Sequence, residues 1–326
     1  MSTKPVVAVV TAADEDWPPG LEPLHGEAEL MLCNDQDSLS RYLPQADIVM
    51  VTDFRTDLLE DVWPDEHRIQ WIHATSAGVD ALMIPPIRDS DIPVTNARGV
   101  FDRPIAEFVL GQVLSFAKDF PGSLRYQQQH QWRHRDTERI EGKQALVVGA
   151  GSIGRQIARL LGAVGMRVDG MARSARDSDP DFDRVHPSDL LLQQLPEADY
   201  VIIAAPLTDE TRGLFDAQAF RAMKASARLI NIGRGPIVQT DALVQALRDG
   251  ELAGAGLDVF EEEPLPEDHP LWTFPNVLIS AHMAGDVVGW RETLIRQFID
   301  NFRCWQQGKA LPNQVDKARG YVPPTS

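Results

Sequence analysis

Apolar residues in this chain fall into short β-branched runs separated by longer polar segments with helical spacing. Residues 6–10, 46–52 and 69–74 predict three strands, with a surface turn at 14–23 and a further short strand, VTNA, after Pro93. The period then changes. Ile105, Phe108, Val109, Val113 and Phe116 recur at helical spacing, so a helix should run to about Asp119, with Pro104 in its first turn and Asp102 as its cap. Its greasy face suits a connector buried between domains or under a subunit interface. The polar stretch 126–139 that follows carries Trp132 and reads as an arm packed against something. A second series of strands is expected at 145–148, 166–171, 200–205, 227–232, 254–259 and 276–280, with helices between them. Among these helices is 240–249, which Thr240 can cap, and a last helix at 286–306 should cross back to close the N-terminal part. Short strands alternating with helices are the pattern of parallel α/β organisation.

The stretch 147–155, VVGAGSIGR, organises the second series. An apolar run ends in Gly149, glycines recur at Gly151 and Gly154, and an amphipathic run follows. Gly149 makes the turn, Gly151 lets a pyrophosphate approach the backbone, and Gly154 lets the helix pack closely on the strand. The N–H groups near Ser152 and Ile153 then face the phosphates of a dinucleotide. In an NAD site an acid at the end of the second strand holds the adenosine ribose. That position, eighteen residues past Gly154, is Ala172. Arg173 and Ser174 are placed instead for a 2′-phosphate, with Arg176 as a helper, which favours NADP(H) and leaves NAD(H) possible. Two alternatives stay open: Asp169 as a ribose ligand in a shifted register, and Arg173 as a solvated surface arginine.

Length and charge narrow the picture further. At 326 residues the chain exceeds the usual size of one hydrophobic core, so two domains are expected. The net charge of −17 argues against nonspecific nucleic-acid binding and against anionic membranes. Cys33 and Cys304 read as reduced thiols in a cytoplasmic protein, and no apolar run is long enough to span a bilayer.

Three later strands end in polar groups that folding alone does not need: 231–235 (NIGRG), 257–264 (LDVFEEEP) and 280–285 (SAHMAG). Carboxyl ends of strands form the crevice of a nucleotide fold, so Arg234, Asp258, Glu263 and His282 can converge there. His25, His67, His73 and His186 have no such setting and read as structural or exposed. Met283, Trp290 and Trp132 are either core residues or part of a substrate opening.

At these residues the chain resembles the D-isomer-specific 2-hydroxyacid dehydrogenases, in their NADP(H)-preferring glyoxylate/hydroxypyruvate-type reductase branch. TSAGVD, PIAEFVLG, GAGSIGR, PLTDETRGLF, INIGRGPIV, GAGLDVFEEEPLP with HPLW, and the His282 segment carry the likeness. The resemblance implies an α/β protein of two Rossmann-like domains, with a dinucleotide-binding domain (100–285) inserted into a discontinuous, flavodoxin-like substrate domain (1–99 and 286–326). It implies a homodimer formed through the nucleotide domains. Arg234 then binds the substrate carboxylate and polarises the 2-keto group, His282 is the general acid/base, and Glu263 orients it. Asp258 lies near the nicotinamide carboxamide, and Ala77 and Gly78 present backbone donors to the substrate carboxylate. Pro206, Leu207 and Thr208 belong to the loop under the adenine and pyrophosphate, the backbone around Ile232 flanks the nicotinamide, and Ala205, Thr211, Gly233 and Gly285 are further cofactor-binding residues. No metal is implied. The expected activity is NADPH-dependent reduction of a small 2-keto acid. An NAD-linked, phosphoglycerate-type dehydrogenase working in oxidation and a nucleotide-sensing, corepressor-like interaction protein remain as alternatives. Two stretches depart from the family pattern: Met283-Ala284-Gly285 after the histidine, and GVFDRPIAE at the start of the connector.

Overall fold

The computed structural model describes residues 4–52, 57–176 and 178–323. It divides into two compact units, Met1–Phe101 with Val287–Ser326 and Asp102–Asp286.

In the first unit β1 (Val6–Val10), β2 (Glu29–Cys33), β3 (Ile48–Val51), β4 (Trp71–Ala74) and β5 (Val94–Thr95) form one sheet in the order β2-β1-β3-β4-β5. All its pairings are parallel. This is the flavodoxin-like order, and it requires both sheet faces to be covered. Val7, Val9, Ile48, Met50 and Trp71 pack on Ile295, Phe298, Ile299 and Phe302 of the C-terminal helix Trp290–Gln306. The alternate residues Ala8, Val10, Val49, Val51 and Ile72 pack on Leu39, Leu43, Leu59 and Ile87. The C-terminal helix therefore closes the N-terminal unit. It starts at Trp290, after Gly289 in a left-handed conformation (φ 82°), and not at 286. β2 is an additional strand: it lies at the sheet edge, and of its five residues only Cys33 is fully buried, so its apolar signal is diluted.

The second unit holds β6 (Gln144–Val148), β7 (Arg167–Ala172), β8 (Arg184–Pro187), β9 (Tyr200–Ile203), β10 (Arg228–Asn231), β11 (Gly254–Leu257) and β12 (Val277–Ile279). Their order is β12-β11-β10-β9-β6-β7-β8, all parallel. Counted from β6, this is the doubly wound nucleotide order 3-2-1-4-5-6 with a seventh strand at one edge, and its direction reverses between β6 and β9. Leu146, Val148, Val201, Ile203, Leu229 and Leu257 join Phe215, Phe220, Leu243 and Leu247 in one core. The helices Asp102–Ala117 and Ser152–Ala163 pack together.

Three local expectations need correction. Asp102 does not precede its helix but is the first residue of it, and its carboxylate accepts a hydrogen bond from the Ser152 hydroxyl. Thr240 is likewise inside its helix, and its N–H is satisfied by Glu261 Oε2 at 2.8 Å, so a strand-end acid does the capping. The arm begins as the helix Phe120–Gln128 and continues without regular structure, held by Arg135–Asp119 and Arg228–Glu138 pairs at 2.5 Å. Trp132 is 102% exposed, so within this chain the arm does not bury it. No described helix is long and apolar enough to cross a membrane.

Candidate active site

The glycine turn sits where β6 meets the helix Ser152–Ala163. The N–H groups of Gly149 and Ala150 both donate to Met171 O, at 3.1 and 3.0 Å, folding the turn over the end of β7. Gly149 has φ 113°, and a Cβ on Gly154 would collide with the Gly149 carbonyl, so helix and strand can approach this closely only with glycine there. The space a Cβ would take at Gly151 is open. Ser152 and Ile153 are half-buried at the helix start. A pyrophosphate fits this arrangement, because backbone approach is clear and the first helical N–H groups lie beside it.

β7 ends at Ala172, with no carboxylate at that point. Asp169 lies inside the strand, and its Oδ2 is 3.3 Å from His186 Nε2. Arg173 reaches Glu210 Oε2 with Nη2 at 2.9 Å and Nε at 3.2 Å, and Ser174 is exposed beside it. Arg176 donates to Asp179 Oδ2 at 2.8 Å and to Ala150 O at 3.5 Å. Asp179 also takes Arg155, while Asp181 takes Arg155 and Arg159. Burial pushes both carboxyls up, but the guanidinium hydrogen bonds outweigh it and hold them below the usual carboxylate range. This network ties the residues around Arg176 to the phosphate-facing helix. Its partners are too far apart in sequence to be seen as a motif.

Ala205 is buried at the end of the β9 segment, and Pro206 to Thr211 follow as a fastened turn. Thr208 N–H donates to Thr211 Oγ1 at 2.8 Å, and Thr211 Oγ1 donates to Pro206 O at 2.7 Å.

The chemical groups stand on the ends of β10, β11 and β12. Buried Asn231 accepts from Gly233 N–H at 3.1 Å and donates to Arg234 O at 3.1 Å, clamping the turn that carries the arginine. Ile232 and Gly233 are buried within that turn, and Arg234 Nη1 donates to Gly233 O at 2.9 Å. A Cβ on Gly235 would overlap the Phe260 carbonyl, so this turn and the β11 end are pressed together. Glu263 Oε2 lies 2.8 Å from His282 Nδ1, and Glu263 Oε1 accepts from Phe260 N–H at 2.8 Å. Burial raises the Glu263 carboxyl, but the hydrogen bonds from His282 and Phe260, with the charges of His282 and Arg234, leave it below the usual range. An ionised carboxylate only accepts, so Nδ1 carries the proton and Nε2 is the imidazole nitrogen left for chemistry.

Asp258 is 2% exposed and holds the histidine's loop. Its carboxylate accepts from Ser280 Oγ at 2.6 Å, Met283 N–H at 3.0 Å and Ala284 N–H at 2.9 Å, while its own carbonyl accepts from His282 N–H at 2.8 Å. His282 itself adopts φ 51°, an uncommon conformation for a side chain of its size, and these bonds hold it there. Gly285 is buried just beyond, and Met283 is 51% exposed beside the histidine. Sequence reasoning named Asp258 for a different task, and it missed Asn231 and Ser280 as the clamps of the two turns. Arg234, Glu263, His282 and Asp258 thus come together within the second unit. Ala77 and Gly78 belong to the first unit, in the loop after β4, where Asn96 Nδ2 donates to Ala77 O at 2.6 Å and Ser76 Oγ to Gly78 O at 2.6 Å.

The family described as "D-isomer specific 2-hydroxyacid dehydrogenase, NAD binding domain" matches residues 110–284. A glyoxylate reductase of Thermofilum pendens is 32% identical over 321 residues, covering 95% of this chain and 88% of its own length. A D-isomer specific 2-hydroxyacid dehydrogenase of Xanthobacter autotrophicus Py2, solved with NADPH and MES, superposes with a TM-score of 0.81 at 30% identity, over 98% of this chain and 100% of that one. An NADPH-dependent glyoxylate/hydroxypyruvate reductase of Sinorhizobium meliloti, solved with NADP and malonate, gives a TM-score of 0.79 at 26% identity, over 99% and 100%. The match extends across the fold, the phosphate turn and the three strand ends that carry Arg234, Glu263 and His282, and the chain belongs to the D-isomer-specific 2-hydroxyacid dehydrogenases.

Proposed function

We propose that this enzyme reduces a small 2-keto acid to the D-2-hydroxy acid with NADPH. The observation that carries the reading is the 2.8 Å contact between His282 Nδ1 and Glu263, with the charge of Arg234 acting on the same carboxylate. Arg234 offers a planar fork of donors to the substrate carboxylate and to the 2-keto oxygen, drawing electron density toward that oxygen. Glu263 holds Nδ1–H, so that His282 gives its Nε2 proton to the keto oxygen as negative charge develops there. In oxidation the same nitrogen removes the hydroxyl proton. The reduced nicotinamide, when bound, supplies the hydride that arrives at substrate C2. Ala77 and Gly78 are the proposed backbone donors to the substrate carboxylate. The NADPH preference is supported by Ala172 where an acid is needed for NAD, by Arg173 and Ser174 next to it, and by the Xanthobacter and Sinorhizobium relatives solved with NADPH and NADP.

The test follows NADPH oxidation with glyoxylate, hydroxypyruvate, pyruvate and branched or aromatic 2-keto acids. Turnover is expected with the short acids. It should fall about 100-fold or more in Arg234→Ala and in His282→Ala. Arg173→Ala should weaken NADPH far more than NADH. Absence of turnover with every acid overturns the reading.

The same reading makes the enzyme a cytoplasmic homodimer joined through the nucleotide-binding units. Free thiols at Cys33 and Cys304 support the compartment. Phe120, Leu124 and Trp132, at 51%, 59% and 102% exposure along one segment, support a symmetric contact. Light scattering that returns a monomer mass at micromolar concentration excludes the dimer.

A further inference from the structure

The Arg173–Glu210 pair carries an inference about cofactor choice that rests on Arg173 as the 2′-phosphate ligand. Arg173 presents Nε and Nη2, the two N–H groups along one edge of the guanidinium, to the single oxygen Oε2 of Glu210. That edge is the one suited to an anionic oxygen. We propose that Glu210 is an intramolecular stand-in for the 2′-phosphate: it occupies the arginine until NADP(H) binds, and so sets how strongly the enzyme prefers NADP(H) over NAD(H).

Two features make the exchange work. Both side chains are exposed, 47% for Arg173 and 69% for Glu210, so their bond is of the weak surface kind, and displacing it reduces affinity by a factor of about 1.5–5. The backbone around Glu210 does not retreat with its side chain. Thr211 Oγ1 is bonded to Thr208 N–H and Pro206 O, and Arg212 N–H donates to Thr208 O at 3.0 Å, which fastens the turn on both sides of residue 210. The carboxylate swings aside but stays near the incoming phosphate, and like charges at that range repel. An unphosphorylated ribose neither displaces the pair nor meets that repulsion, so the discrimination acts on one cofactor only.

Calorimetric titration of the full-length chain with 2′,5′-ADP and with ADP separates the phosphate from the rest of the cofactor. Glu210→Gln is expected to tighten 2′,5′-ADP by about 1.5- to 5-fold and leave ADP unchanged. The gain should shrink as salt is raised from 0.05 to 0.5 M, and fall to the part due to carboxylate–phosphate repulsion alone when Arg173→Ala is added. Unchanged or weaker 2′,5′-ADP binding in Glu210→Gln overturns the proposal, as does an equal gain for ADP. The two layers fail separately. If Arg173→Ala weakens both nucleotides alike, the phosphate reading itself is wrong; if it weakens 2′,5′-ADP alone while Glu210→Gln does nothing, only the role of Glu210 falls.

Discussion

Glu263 has two duties toward His282 that one substitution separates. Its oxygen fixes the imidazole through Nδ1, and its negative charge lies against the ring that hands on the proton. Glu263→Gln keeps an accepting oxygen at 2.8 Å reach and removes the charge. Since the carboxyl is held below the usual range, it is ionised throughout pH 5–8, and no limb of the rate profile in that window belongs to it. The variant should therefore lose about 10- to 100-fold in kcat/KM, part of the full value of general acid–base catalysis, with NADPH affinity unchanged. At a given pH, and with both cofactor affinities unchanged, kcat/KM for reduction and for oxidation must fall by the same factor, because the overall equilibrium constant is not the enzyme's to change. Unaltered kcat/KM removes Glu263 from the mechanism. Arg234 and His282 were legible in the sequence because each follows a strand end with a polar group that packing does not need, whereas Glu263, one of three adjacent acids, was singled out by Pro264 and the family register. Ser280 and Glu210 were not legible, since each is defined by a partner distant in the chain: Ser280 lies twenty-two residues from Asp258 and Glu210 thirty-seven from Arg173.

At the level of elements, the strands read most clearly where both faces are covered. β1, β3, β6 and β9 are apolar throughout their interiors and were visible as runs. β2 and β8 sit at sheet edges, half in solvent, and β8 ends in Pro187, so neither carries that signal. Helix caps are hidden in the sequence for a related reason. The neighbouring residue is not always the cap: Glu261, twenty-one residues beyond Thr240, supplies the oxygen for its N–H. The alternation points to parallel α/β organisation, and the family resemblance supplied the flavodoxin-like and nucleotide-binding architectures that both sheets match. The Arg155–Asp179–Asp181 network has no such rule behind it. It exists because the segment after β7 returns over the phosphate-facing helix, and only the folded chain brings those charges within 2.8 Å.

In a molecule of two units, the stability of the first depends on pH through a residue away from the chemistry. His73 in β4 is completely buried, with Trp71 and Phe298 rings centred 5.8 and 5.4 Å away, Nδ1 2.8 Å from Thr95 Oγ1, and Nε2 without a hydrogen-bond partner among the described residues. Thr95 also accepts Trp71 Nε1–H at 2.9 Å, so the charged ring finds no replacement for water there. Burial pushes its pKa down to about 3, against about 6.5 in an unfolded chain. The unfolded state binds the extra proton between these values. The stabilisation is complete above pH 6.5 and is lost as the pH falls toward 3, at up to about 1.4 kcal/mol per pH unit. Asp35 and Asp89, lowered carboxyls of the same unit, act in the same direction near and below their unfolded values of about 4, so above about pH 5 the slope belongs to the histidine. Amide exchange of β1 and β3, corrected for intrinsic rate, reads the opening of the first unit without assuming that both units unfold together. Its opening free energy should decline with that slope in the native sequence and stay nearly flat in His73→Leu, even if the variant is less stable at neutral pH. The same slope in both proteins means that another group takes up the proton and that His73 is only a packing residue.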